Sequence, residues 1–233
     1  MVNDAVLITG AGQRIGFFLA NYFIKKGKAV FFTYKTNRPK VAELIKKGAV
    51  GFKVDFTDEA QINTFLSQIK KQVNSIELLI HNASIWVKDD DLNAELYQEM
   101  IAVHQFAPYQ ITNELVEQLN ASSILANVIA ISDAKIKNGH HDCAAYLGTK
   151  SALKTMMDSF AKKYAPKIKV NTIAPGLIIF NENDSEAYKK QRLQEMAIPI
   201  VPTEQVILDA INFLINSPNS TGSTIEIGQL SSN

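Results

Sequence analysis

Ala5-Val-Leu-Ile-Thr9-Gly10-Ala11-Gly12-Gln13-Arg14-Ile15-Gly16 sets the architecture of this chain. The unbroken apolar run at its head reads as a strand covered on both faces, as in a parallel sheet. A glycine-bearing turn comes next and opens into residues 15–26, where apolar side chains recur at helical spacing. Glycines there let the backbone turn sharply, while free N–H groups and the positive end of the helix dipole face an approaching anion. A strand, a glycine turn and a helix in this order are the context required for a dinucleotide pyrophosphate; a plain structural turn is the alternative.

Beyond this stretch, short apolar runs at 5–9, 29–34, 50–54, 76–81, 125–132, 169–174 and 223–227 read as strands. Amphipathic stretches at 15–26, 40–47, 59–73, 144–164 and 204–215 separate them, with a long helical stretch between 81 and about 119. The pattern predicts a doubly wound α/β fold, a Rossmann-type parallel sheet with helices on both faces, in a single domain over residues 1–233. Residues 176–202 carry charge, asparagine and two prolines without periodicity. They are expected to form a substrate wall or lid, or else an ordinary surface loop.

The 233 residues suffice for a full core, and 46% hydrophobic content with a net charge of +1 describes a globular protein without bulk affinity for nucleic acid. Lysine pairs at 25–26, 46–47, 70–71, 162–163 and 189–190 are dispersed at helix ends, where they complement the dipole rather than build a nucleic-acid surface. One cysteine, Cys143, excludes an internal disulfide framework. The start of the chain has no secretory pattern and no apolar run reaches the ~20 residues of a membrane span, so a cytoplasmic, membrane-free protein is expected.

Chemistry is concentrated in Tyr146-Leu-Gly-Thr-Lys150, with Asp133 thirteen residues before the tyrosine. A phenol and an ammonium four residues apart share one helix face, so the lysine is expected to depress the phenol pKa for proton transfer. At the end of the second strand, Tyr34-Lys35-Thr36-Asn37-Arg38 offers two cations and no acid. A cofactor with a 2′-phosphate, NADPH, would be welcome there, and Arg14 adds to that charge; a solvated basic turn is the alternative. Asp55 is placed to accept from an adenine amino group or to cap the next helix. His140-His141-Asp142-Cys143 lacks the spacing of a metal site, and none is expected.

With these pieces placed, the chain resembles the short-chain dehydrogenase/reductase family over essentially its whole length, and within it the pteridine-reductase and dihydromonapterin-reductase (FolM-like) branch. Arg14 stands where the family's TGxxxGxG turn has its middle glycine, as in pteridine reductases. His81-Asn82-Ala83-Ser84 replaces Asn-Asn-Ala-Gly, and Trp86 matches the aromatic ring that sandwiches a pterin against the nicotinamide; core filling is the other reading of this tryptophan. Asp133 occupies the place of the carbonyl-polarising serine, where pteridine reductases carry aspartate. Ser132 beside it could restore a serine only by a slip that turns the side chain to the other face. His104 replaces the asparagine that holds a proton-relay water, and is either a water-positioning group or a packed residue. The C-terminal Asp-Gly-Gly is lost, and Ile227-Gly-Gln-Leu230 stands in that region.

The resemblance implies that NADP lies against Gly10, Gln13, Arg14, Ile15 and Gly16, then Tyr34, Lys35 and Thr36, then Asp55 and Phe56. Farther along it would meet Asn82, Ala83 and Ser84, the pair Tyr146 and Lys150, and Pro175, Gly176 and Ile178 above the nicotinamide. It assigns catalysis to Tyr146, Lys150 and Asp133, and a pterin to Arg14, Ser84, Trp86, Asp133 and Tyr146. Phe180-Asn-Glu-Asn-Asp184 resembles the FolM-like branch specifically. The implied reaction is reduction of 7,8-dihydromonapterin, with dihydrofolate or dihydrobiopterin as slower substrates, in a homotetramer. Two alternatives are a carbonyl or 3-oxoacyl-thioester reductase, against which Asp133 and Trp86 argue, and a non-catalytic NADP-binding regulator, against which Tyr146 and Lys150 argue.

Overall fold

The computed structural model describes residues 1–180, 183–196, 198–201 and 203–228. Two of the five residues of Phe180-Asn-Glu-Asn-Asp184, at 181 and 182, lie outside these, as do 229 and 230 of Ile227-Gly-Gln-Leu230 and the end of the 176–202 segment. Seven strands, β1 (Ala5–Ile8), β2 (Val30–Tyr34), β3 (Val50–Lys53), β4 (Ile76–His81), β5 (Ala126–Ile131), β6 (Ile168–Pro175) and β7 (Thr224–Ile227), form one parallel sheet in the order 3-2-1-4-5-6-7. Every residue of β1, β4, β5 and β6 is buried, which is why residues 5–8, 78–80 and 128–131 read as continuous apolar runs and not as alternation.

Helices cover both faces. On one, α1 (Arg14–Lys25), α2 (Pro39–Lys46) and α9 (Gln205–Asn216) bury Leu19, Phe23, Leu44, Ile207 and Ile211 against Val6, Ile8 and Phe32. On the other, α3 (Glu59–Lys70), α5 (Ala107–Glu114) and α7 (Ala144–Tyr164) pack Ile62, Phe65, Ile111, Leu153 and Phe160 over Leu7, Leu79 and Val128. The chain order reverses between β1 and β4, and this switch point opens the crevice in which such sheets hold ligands.

The long helical stretch expected between 81 and about 119 is divided. Residues 82–88 are irregular, a 3₁₀ turn spans Asp89–Asp91, and α4 (Ala94–Ile101) begins at Asn93, whose side chain accepts from the Leu96 amide. A π turn over Ala102–Phe106 then separates α4 from α5, with α6 (Val116–Asn120) beyond. Pro108 accounts for the wide turn, because it has no N–H for the carbonyl of His104 and its ring would collide with it. The other correction is in 176–202, which contains a helix, α8 (Glu186–Gln194), capped by the Ser185 hydroxyl on the Tyr188 amide. Its strongly polar composition leaves no apolar stripe to detect.

Candidate active site

A cavity of about 810 Å³ lies over the carboxyl ends of β1, β2, β4, β5 and β6. Its wall includes every residue expected to meet cofactor or substrate, from Gly10 to Ile178, with Trp86 and Asp133 among them. It also includes Asp184, the last residue of the 180–184 motif, and Glu99 and Tyr188, which no local motif singled out; they arrive from the segment around α8 and from α4.

The glycine turn is built for close approach. Gly10 has φ +68°, and a Cβ there would stand 2.7 Å from Cα of Ala83; at Gly16 it would stand 2.6 Å from the Asn82 amide nitrogen. Asn82 is the clamp, its Nδ2 donating to the carbonyls of Thr9 and Gly10 at 3.0 Å each. Thr9 Oγ1 accepts in return from the amides of Asn82 and Ala83. Arg14, first residue of α1, sits at φ +51°, the left-handed region a glycine enters freely. An arginine held there stores about 1 kcal/mol or more of backbone strain, as is common at ligand sites.

At the β2 end, the sequence shows two cations and no acid nearby, but acids from elsewhere in the chain reach Lys35. Its Nζ meets Glu99 at 2.7 Å and Asp55 at 3.1 Å, and the Glu99 hydrogen bond leads the effects that raise its pKa. Asp55 also accepts from the Thr57 amide and hydroxyl, while the cap of α3 is Asp58, accepting from Ala60 and Gln61.

On the opposite wall, Tyr146 and Lys150 project from α7 toward the end of β5. Lys150 is fully buried and its Nζ donates to the Ile131 carbonyl at 2.9 Å; the Ser132 hydroxyl donates back to the Lys150 carbonyl at 3.2 Å. Ser132 is thereby spent on the helix backbone, and Asp133 faces the phenol, with Tyr146 Oη donating to Oδ2 at 3.4 Å. The other carboxylate oxygen accepts from the Lys135 amide at 2.8 Å, which fixes the side chain. Burial lowers the Lys150 pKa to about 8. The expected depression of the tyrosine is reversed: burial, then the Asp133 charge, hold the Tyr146 pKa well above its usual value, so the phenol keeps its proton.

Trp86 is 55% exposed, so it fills no core, and it lines the cavity. Three residues on, the Asp89 carboxylate accepts from the Ala144 and Ala145 amides at 2.7 and 3.2 Å, capping α7 from across the loop. His104 lies behind the wall, fully buried, with Nε2 at 2.9 Å from Ser84 Oγ and Nδ1 at 2.8 Å from Thr149 Oγ1. Desolvation and the nearby Lys150 lower its pKa to about 2, so it is neutral at every ordinary pH. Among the described residues, no group of three or more His, Cys, Asp or Glu is arranged to hold a metal, and no helix is long and apolar enough to cross a membrane.

The chain is similar to known proteins in sequence and in fold. Residues 4–191 match the family model described as short chain dehydrogenase. The chain is 37% identical to a dihydromonapterin reductase of Klebsiella pneumoniae, over 95% of this chain and 94% of that one. It is 33% identical to one of Escherichia coli, with the same coverage. Among solved structures, 4-hydroxyisoleucine dehydrogenase complexed with NADH superposes with a TM-score of 0.88 at 22% identity, covering 97% of this chain and 98% of the other. FolM alternative dihydrofolate reductase 1 of Brucella canis, complexed with NADP, gives 0.85 at 22% identity, with 97% and 93% covered. At such identities the structures speak to the fold, while the family model and the curated relatives speak to descent: the chain belongs to the short-chain dehydrogenase family.

Proposed function

We propose that the protein is an NADPH-dependent reductase of a reduced pterin, converting 7,8-dihydromonapterin to the tetrahydro form. The observation that carries this reading is the Asp133 carboxylate facing the Tyr146 hydroxyl. A carboxylate at that point would repel the alkoxide that develops when a ketone is reduced, whereas a ring imine develops charge on a nitrogen that takes up a proton. The names of the curated relatives support the same substrate class.

The glycine turn packs directly on the end of β4, with no room for a Cβ at Gly10 or Gly16, and borders the cavity at the start of α1 with Arg14 beside it, an arrangement suited to a pyrophosphate. NADPH, when bound, supplies a hydride to pterin carbon 6. Tyr146, held protonated by burial, gives its proton to nitrogen 5, directly or through water, with Asp133 accepting from the phenol until transfer. Lys150 anchors the nicotinamide ribose, and Trp86 covers the pterin face. The segment around α8, with Tyr188 at the cavity wall, forms the pocket for the pterin side chain. A single domain, a cytoplasmic setting and a homotetramer belong to the same reading by family analogy.

The test is oxidation of NADPH with 7,8-dihydromonapterin. Tyr146→Phe is expected to lower kcat by about 10² to 10⁴. Wild-type turnover no greater than that of the variant would sink the proposal. Arg14→Gly relieves the left-handed backbone strain, which offsets the loss of the side chain's own contacts in the melting temperature, and is expected to weaken NADPH by about tenfold or more through loss of a charge-assisted contact. Calorimetry and a binding titration read the two effects apart; a less stable variant with unchanged affinity would assign the side chain to the fold.

A further inference from the structure

The protons around His104 can be assigned one by one. Thr149 Oγ1 lies 2.7 Å from the Tyr146 carbonyl, which can only accept, so the threonine hydrogen is committed there. The 2.8 Å contact between His104 Nδ1 and Thr149 Oγ1 therefore requires the hydrogen on Nδ1. On the far side of the ring, the Ile85 amide points at Nε2 from 3.3 Å, and an amide can only donate. Both sides agree: His104 is neutral with Nδ1 protonated, and Nε2 is an acceptor with two donors, the Ile85 amide and the Ser84 hydroxyl at 2.9 Å.

Ser84 has one hydrogen, and in this state it belongs to His104. Ser84 and Tyr146 border the same cavity, and a hydrogen bond from the serine to the tyrosine oxygen favours the tyrosinate, while the phenol itself donates to Asp133. The phenol thus has an acceptor in Asp133 before it gives up its proton, and a carboxylate cannot donate to it afterwards. Rotation of one hydroxyl changes that. If Ser84 turns its hydrogen toward Tyr146, His104 Nε2 still keeps the Ile85 amide, so the turn leaves no buried acceptor unpaired.

We propose that His104 is a positioning residue that acts through Ser84: it holds the Ser84 hydrogen while Tyr146 is a phenol and releases it to the tyrosinate oxygen after proton transfer. The proposal rests on the reductase reading. In the step itself the Tyr146 O–H bond breaks, the proton joins substrate nitrogen as hydride reaches carbon, and Ser84 keeps its own proton and only rotates. No charge on His104 is needed: the nearby Lys150 opposes its protonation, and the Tyr146 ring against it is a neutral phenol. The asparagine role expected from the family, holding a water, is replaced here by a histidine that holds a serine.

Two measurements test this. In the first, Ser84→Ala and His104→Phe are compared singly and together. Each single variant is expected to lower kcat about tenfold, the worth of one hydrogen bond, and His104→Phe, outside the cavity wall, is expected to leave KM for NADPH within about twofold of wild type. The double variant is expected to be no slower than the slower single one, because both changes remove the same donor. Losses that multiply, or a His104→Phe loss that appears in KM instead of kcat, overturn the proposal and leave the reductase reading standing. The second needs no turnover: nitrogen NMR of the four histidines. One signal set, absent from His104→Phe, is expected to show an Nδ1-protonated neutral ring that does not titrate between pH 5 and 8. An Nε2-protonated or titrating His104 overturns the proposal whatever the enzyme reduces.

Discussion

Asp133→Ser should cut kcat for 7,8-dihydromonapterin by about 100-fold or more while leaving the fold intact. The magnitude is that of one general acid–base partner removed from the reacting proton. The fold survives because serine can take over the cap of the 3₁₀ turn, where Asp133 now accepts from the Lys135 amide. With the charge gone, the largest electrostatic neighbour that raises the Tyr146 pKa disappears, and a hydroxyl stands where a carbonyl oxygen would need a donor. The variant should therefore gain measurable reduction of simple ketones as it loses the pterin. Asp133→Asn, which keeps the shape, removes the charge and also offers a donor in its amide, should lose the pterin activity in the same way. Pterin turnover at the wild-type rate in Asp133→Ser would remove the carboxylate from the reaction.

Lys150→Met should abolish turnover and stabilise the protein. Lys150 is fully buried, and its pKa is lowered from 10.5 to about 8. At neutral pH it is still charged in the folded state, so its desolvation opposes folding by about 3 kcal/mol, at about 1.4 kcal/mol for each tenfold loss of proton affinity. Loss of its hydrogen bond to the Ile131 carbonyl offsets about 1 kcal/mol of the gain. A net rise of roughly 4–8 °C in melting temperature is expected for a chain of this size. The pH dependence has a definite sign. Between about 8 and 10.5 the unfolded chain holds this proton and the folded protein does not, so wild-type stability should climb through that window. The Met variant should lack that climb. Thermal melts at pH 7 and pH 10 read both effects, and an unchanged difference between the two pH values would show that the wild-type lysine carries no such penalty.

Most of the architecture is legible in the sequence because each central strand is buried on both faces and leaves an apolar run, and each covering helix leaves a stripe. The parts that are not legible have local causes. The break at the π turn depends on one proline, Pro108, within a stretch whose apolar spacing is otherwise helical. The helix α8 buries no residue, so it leaves no stripe. At the candidate site, the turn, the Tyr146–Lys150 pair, Asp133 and Trp86 all meet in one cavity as their motifs imply. The partners that change their chemistry come from far along the chain. Glu99 reaches Lys35 across 64 positions and Thr149 reaches His104 across 45, and neither distance has a signature in one sequence. The tyrosine departs from its expected pKa for a related reason: helical spacing reveals the lysine beside it, but burial and a carboxylate from the turn after β5 decide where its proton stays.

The Asp89 carboxylate seated on the amides of Ala144 and Ala145 has a meaning for how such a site can change over generations. It makes the tryptophan loop and the tyrosine helix a single mechanical part, joined three residues from Trp86 and within a turn of Tyr146. A lineage that exchanged this loop to recognise another ring would inherit a new surface and lose the seat together, unless an acid returned at the same place. Recognition and proton delivery are free to diverge only as a pair.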